Sequence, residues 1–180
     1  MLKLASVLPP REGFNADSAG AVALYVYHFS KCDPQTVDHT VIGGWHGSPF
    51  SGVSYQSIPI PKFRLTSKSV AYARSVSRYL KNCKFDLVEV HNRPAIALEI
   101  KALCPEIKVA LFIHNDPATI KELASSKLLK ACLSSLDQFI AVSQFVADSL
   151  GRLDPKVSQK TSVVYNAIDA DWFSTKEDIE

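Results

Sequence analysis

Short apolar runs alternate with amphipathic stretches along this 180-residue chain. Lys3 to Leu8 is a near-continuous apolar run and reads as a buried strand. Further strands are predicted at Thr36–Ile42, Val53–Ile60, Phe85–Val90, Lys108–Ile113, Gln138–Val142 and Thr161–Tyr165. Between them lie helical patterns. The first runs from an Asp17 or Ser18 cap to about Ser30, and the second from Leu65 to Asn82, with Val70, Ala73, Val76, Ser77 and Leu80 on one side. Pro94–Cys104 and Pro117–Leu133 each carry proline in the first turn, and Ser143 caps a helix to Leu150. Short, near-continuous apolar strands alternating with helices predict a doubly wound α/β domain: a parallel sheet of about seven strands covered on both faces.

Composition adds little to this and charge adds more. A chain 47% hydrophobic with 7 Gly and 10 Pro supports one compact core and is not fibrous or disordered. The longest nearly apolar stretch, Ala19 to Phe29, is too short for a membrane span and contains His28. Met1-Leu2-Lys3 leads into a run ending at Pro9-Pro10 without a small-residue cleavage site, so it reads as a core strand rather than a signal peptide. Cys32, Cys83, Cys104 and Cys132 lack zinc-ligand spacing and read as reduced thiols of a cytosolic protein. From Lys62 to Lys84 every charged side chain is basic, and Arg74, Arg78 and Lys81 share a face of the second helix. That face is either an ordinary solvated surface or a contact for an anionic membrane.

The candidate chemistry lies in two near-identical tetrapeptides, His91-Asn92-Arg93-Pro94 and His114-Asn115-Asp116-Pro117. Each follows a predicted strand and opens a predicted helix. In an open parallel sheet, ligands bind beyond the carboxyl ends of the strands, near the point where strand order reverses. Helix N-termini there favour phosphate or carboxylate, and imidazoles add hydrogen-bonding groups for hydroxyls or phosphates. Asn92, Asn115, Asp116 and the prolines serve either as caps or as ligand contacts; His91 and His114 read as ligand-facing. His28, His39 and His46 read as surface or packing residues. No dinucleotide G-x-G-x-x-G, P-loop, H-E-x-x-H or G-x-S-x-G motif occurs, and Ser143 in "AVSQF" lacks the glycines of a nucleophile elbow.

Two later segments, "DQFIAVSQFVADSL" (137–150) and "TSVVYNAIDADWF" (161–173), resemble the end of the N-terminal domain of family 4 glycosyltransferases with the GT-B fold. "FDLVEVHNRP" and "ALFIHNDP" resemble that family's two His-bearing strand ends. Ala167 stands where the family usually has glycine in Asn166-Ala167-Ile168-Asp169. The opening loop "PPREGFNADSAGAV" lacks the family's Gly-Gly pair; Gly20 is the nearest candidate, and Arg11 is available to an anionic acceptor.

The resemblance implies a Rossmann-like N-terminal, acceptor-side domain over residues 1–173, an interdomain linker beginning at 174–180, and a C-terminal donor-binding domain absent from this chain. It implies a retaining hexosyltransferase that moves sugar from a nucleotide-sugar such as a UDP- or GDP-hexose to a lipopolysaccharide-core or surface-polysaccharide acceptor. No metal or other cofactor is expected, and these residues alone are expected to be inactive. His114 is expected at the catalytic centre, with Gly20, Arg11, His91, Asn92, Asn115, Asp116, Ser143 and Asn166 contacting substrate. The expected partners are a sugar or lipid-linked acceptor, the other domain and an anionic membrane met by Arg74, Arg78 and Lys81, with no nucleic acid. The expected location is cytoplasmic, peripheral at the inner face of the membrane. A nucleotide-sugar epimerase half on the same fold and a non-enzymatic Rossmann-like binding module stay open as alternatives.

Overall fold

A computed structural model of the chain describes residues 1–31, 35–45, 47–63 and 65–166. Its elements are β1 (Leu2–Val7), α1 (Ala21–Phe29), β2 (Val37–Gly43), β3 (Ser54–Ser57), α2 (Lys68–Cys83), β4 (Leu87–His91) and α3 (Pro94–Leu103). They continue with β5 (Lys108–Ile113), α4 (Lys121–Ala124), α5 (Ser126–Ser135), β6 (Gln138–Ala141), α6 (Gln144–Leu153) and β7 (Thr161–Val163). The strands form a single sheet in the order β3-β2-β1-β4-β5-β6-β7, and every neighbouring pair is parallel. Strand order therefore reverses between β1 and β4, as a doubly wound sheet requires.

The two faces of the sheet have different partners. One face carries Ala5, Val7, Ile42, Val88, Val90, Val109, Leu111 and Ile113, packed with Tyr72, Val76 and Leu80 of α2, Ile96 and Ile100 of α3, Leu129 of α5 and Leu150 of α6. A smaller cluster on the opposite side sets Leu8, Phe14 and Val41 against Ala23 and Val26 of α1. Two aspartates fix register at the amino edge: Lys3 donates its amide N–H to Asp86 Oδ2 and Val109 to Asp137 Oδ2, each at 2.8 Å. Cys83, Cys104 and Cys132 are free.

Three expected elements differ. Helix α1 begins at Ala21, not at residue 17 or 18, because Asn15 Oδ1 takes both the amide and the hydroxyl of Ser18 and holds a turn there. Gly20 is its N-cap and supplies no side-chain bond. The single helix expected over Pro117–Leu133 is instead a 3-10 turn (Pro117–Thr119) followed by α4 and α5, broken where Ile120 and Ser125 take extended backbone with ψ of 100° and 110°. The turn seats Pro117 in the interior, and Leu123 of α4 is buried as well. The third strand is confined to Ser54–Ser57. The expected Asn-Ala-Ile-Asp segment past Asn166, the domain limit at 173, the linker, Cys32, His46 and Arg64 lie outside the described residues.

Gly44 marks where the β1–α1 and β2–β3 loops touch. A Cβ there would lie 2.2 Å from the carbonyl oxygen of Pro10, a backbone atom that cannot rotate away. Gly44→Ala is expected to cost about 1–3 kcal/mol of stability, the usual range for overpacking. Urea unfolding checks it: an unchanged midpoint would mean the two loops separate freely.

Candidate active site

The site is built on the carboxyl ends of β4 and β5, just beside the strand-order reversal. Side chains alternate along a strand, so Glu89 and His91 share a face of β4, and the register sets Ser6 of β1 beside Glu89 and Phe112 of β5 beside His91. His114 follows β5 directly. Its ring lies 4.8 Å from Phe112 and 5.1 Å from His91 between centroids, and His91 Nδ1 is 2.8 Å from His114 Nε2. Tyr25 of α1 covers the group, 5.1 Å from His114 in an edge-on contact.

The two histidines differ in access. His91 is 0% exposed, whereas His114 is half-buried. His91 thus lies beneath His114 with no exposed surface, where the strand-end pattern predicts a ligand-facing ring. Among the described residues its Nε2 is the one buried side-chain polar atom without a partner. Hydrogen-bond accounting then selects a tautomer. A buried donor left unmatched is rarer than an unmatched acceptor. His91 therefore carries its hydrogen on Nδ1 and donates to His114 Nε2, which leaves the His114 hydrogen on Nδ1 as a donor.

Asn92 makes the second link between the tetrapeptides. It is 7% exposed, sits in the left-handed region at φ 53°, and accepts the His114 backbone N–H on Oδ1 at 2.9 Å. Its amide nitrogen points to Asn115 Oδ1 at 3.5 Å. Asn92 therefore caps no helix; Arg93 is the N-cap of α3 and gives no side-chain bond. Asp116 does cap, accepting from the Ala118 amide, and also accepts from the Ser149 hydroxyl of α6 at 2.6 Å. Those two donors hold its carboxyl below the usual range. The turn it opens is 3-10, so the His114 loop does not stand at the head of a long helix as the pattern predicts.

The remaining candidates line the same edge without joining the pair. Ser143 follows β6, is half-buried and caps α6 by accepting from the Val146 amide; Asn166 lies exposed beyond β7. Arg11 and Gly20 are exposed on the β1–α1 loop. A Cβ on Gly20 would meet the Glu12 carboxylate at 2.5 Å, so an anion arriving at this end of α1 must first displace that group. Arg74, Arg78 and Lys81 are exposed on α2, away from the imidazoles, and Arg74 is paired with Glu99 of α3 at 2.9 Å.

A buried polar chain beneath the site was not evident from the sequence. Ser6 Oγ lies 2.8 Å from His39 Nε2 and donates to Glu89 Oε2 at 3.1 Å. Glu89, inside the apolar strand "LVEVH", is 5% exposed, and Phe29 packs edge-on against His39. The one available signal was a carboxylate within a continuous apolar run. Among the described residues, no group of three or more His, Cys, Asp or Glu side chains is arranged to hold a metal ion.

Burial governs the titration of all four groups. It lowers His39 to about 4, against a weaker opposing pull from Asp38, and lowers His114 to about 4. His91 falls well below the ordinary value through burial and through its neighbours His114 and His39. Burial raises Glu89 to about 7 despite the Ser6 hydrogen bond. Depressed histidines stabilise the fold above the unfolded value near 6.5 and lose that contribution as pH falls through the folded values; raised Glu89 acts oppositely, its contribution fading as pH rises through about 7. Between roughly pH 4.5 and 6.5 the unfolded chain thus holds up to three more histidine protons and one fewer glutamate proton. Unfolding free energy is expected to fall on acidification there, by up to about 3 kcal/mol per pH unit. Urea titrations across this window check it, and a pH-independent midpoint would contradict the buried, neutral histidines.

The family model for Glycosyltransferase Family 4 matches residues 22–172. Spore coat protein SA of Bacillus subtilis (strain 168) is 29% identical over 98 residues, which is 54% of this chain and 26% of that protein. Among solved structures, Anabaena Alr3699/HepE in complex with UDP and glucose has a TM-score of 0.71 at 12% identity, covering 96% of this chain and 47% of that one. The lipopolysaccharide outer core galactosyltransferase WaaB, in its apo form, has a TM-score of 0.63 at 15% identity, covering 93% and 46%. The structural likenesses show a shared fold, the GT-B glycosyltransferase half, and the chain spans less than half the length of each of these proteins. With the family model covering most of its length, this chain belongs to Glycosyltransferase Family 4.

Proposed function

We propose that this chain forms the acceptor-side half of a retaining hexosyltransferase that moves a hexose from a nucleotide-sugar to a lipopolysaccharide-core or surface-polysaccharide acceptor. The observation that carries the reading is the His91–His114 pair on the carboxyl edge of β4 and β5, with its imidazoles 2.8 Å apart. Family membership favours transfer over the epimerase and binding-module alternatives. A solved neighbour binds UDP and glucose, and another is a lipopolysaccharide galactosyltransferase, which supports the donor and acceptor classes.

In this reading His114 donates from Nδ1 to a sugar hydroxyl or phosphate oxygen, and His91 keeps it in that tautomer. Because both rings stay neutral, His114 works as a fixed dipole rather than as an acid or base, in keeping with electrostatic help for a departing diphosphate. Catalysis proceeds without a metal. The donor binds to the remaining part of the intact enzyme, so residues 1–180 alone transfer no sugar.

No helix of the described residues is long and apolar enough to cross a membrane. Phe63 and Leu65 are 87% and 93% exposed in the loop before α2, beside Lys62, Lys68 and the basic face of α2. Apolar side chains flanked by cations suit a peripheral contact with anionic lipid, at about 1 kcal/mol per basic residue.

Two outcomes test these statements. His114→Ala in the intact enzyme is expected to lower turnover at least about tenfold, the scale of one lost transition-state hydrogen bond. Unchanged kinetics would remove His114 from the site. The parent chain is expected to sediment with anionic vesicles at low salt, and Phe63→Ser with Leu65→Ser, or charge reversal at Arg74 and Arg78, to weaken that binding. A parent that stays in the supernatant ends the membrane proposal.

A further inference from the structure

Where Asn92 and Asn115 follow the two imidazoles in the chain, a cavity of about 350 Å³ opens. It is lined by the start of α2 and by the two tetrapeptide loops. Its lining includes Ser69, Asn92, Arg93 and Asn115, with Lys121 and Glu122 of α4. Neither Arg93 nor Lys121 is ion-paired among the described residues; Arg93 donates from Nη1 to the Asn92 carbonyl at 3.0 Å, which anchors the guanidinium at the rim. Asn92 joins this cavity to the imidazoles: it is part of the lining, and its Oδ1 holds the His114 backbone N–H.

Two cations, two side-chain amides and a hydroxyl around one hollow form an oxyanion-binding set. Guanidinium and ammonium groups neutralise a phosphate, and amides and hydroxyls supply directed hydrogen bonds. Glu122 opposes an anion, and with it the lining is still net positive. The volume lies at the lower end of the range for small-molecule sites, about 300–1,000 Å³. Resting on the transferase reading above, we propose that this cavity binds a phosphate group carried by the acceptor. The acceptor is then a phosphorylated or phospholipid-linked sugar whose phosphate is anchored by Arg93 and Lys121 while its hydroxyl is presented beside His114.

A titration of amide NMR signals tests the site without any need for turnover. The probes are a hexose 1-phosphate, the unphosphorylated hexose and UDP, each added to the 180-residue chain. The hexose phosphate is expected to move signals of Ser69, Asn92, Asn115 and Lys121 in a saturable way, and the free hexose to leave them still. Lys121→Gln is expected to weaken the hexose phosphate at least about threefold, and Glu122→Gln to tighten it about twofold, because each substitution changes the charge at the cavity by one. Equal affinities in both variants, or shifts spread over the α2 basic face, would overturn the site. A stronger response to UDP than to the hexose phosphate would overturn its assignment to the acceptor. The transferase reading fails separately, by absence of sugar transfer in the intact enzyme, whatever the phosphate does here.

Discussion

The structure depends on one contact made at a price in solvation: two imidazoles drawn out of water at the ends of adjacent strands, matched chiefly to each other. Burial removes the option of charge, so a single hydrogen bond, from His91 Nδ1 to His114 Nε2, must satisfy both rings on their shared side. Everything around that bond keeps it in place. Phe112 stacks on both rings, Tyr25 closes over them, and Asn92 takes the backbone N–H that would let the His114 loop drift. The unmatched His91 Nε2 is a cost in solvation that the fold carries at this contact.

The sheet supplies the geometry that this contact needs. Parallel pairing brings β4 and β5 to the same edge in register, His91 beside Phe112, and strand reversal at β1 and β4 leaves a crevice for α1 to flank. Beneath the imidazoles, His39, Ser6 and Glu89 continue a polar line across three strands. Such a line is costly in a sheet interior unless each member is bonded, and here each one is. Its position suggests a role in setting the floor on which His91 rests rather than in meeting substrate.

Much of the fold was legible in the sequence because its physical causes are local. Apolar or alternating runs gave the strands of the sheet, the third longer than it is, and the prolines that end the two tetrapeptides marked where β4 and β5 give way to helical turns. The meeting of His91 and His114 was legible too, since equivalent positions at the ends of parallel strands share an edge. What escaped had long-range causes. That His91 lies wholly beneath His114 depends on α1 packing Tyr25 over it, from residues 66 positions earlier in the chain. Asn92 reads as a cap by type, yet its oxygen is claimed by a neighbouring strand's loop. The break at Ile120 and Ser125 follows from seating Pro117 and Leu123 in the core, which no window over Pro117–Leu133 reveals. Glu89 and His39 found partners only across strands.

Direct observation of the imidazole tautomers tests the central claim. Long-range nitrogen–proton NMR correlations on the ring nuclei distinguish Nδ1–H from Nε2–H and from the imidazolium ion. The account predicts that His91 and His114 are both neutral and both protonated on Nδ1 at pH 6. An imidazolium at either position at that pH, or an Nε2–H on His91, would contradict it.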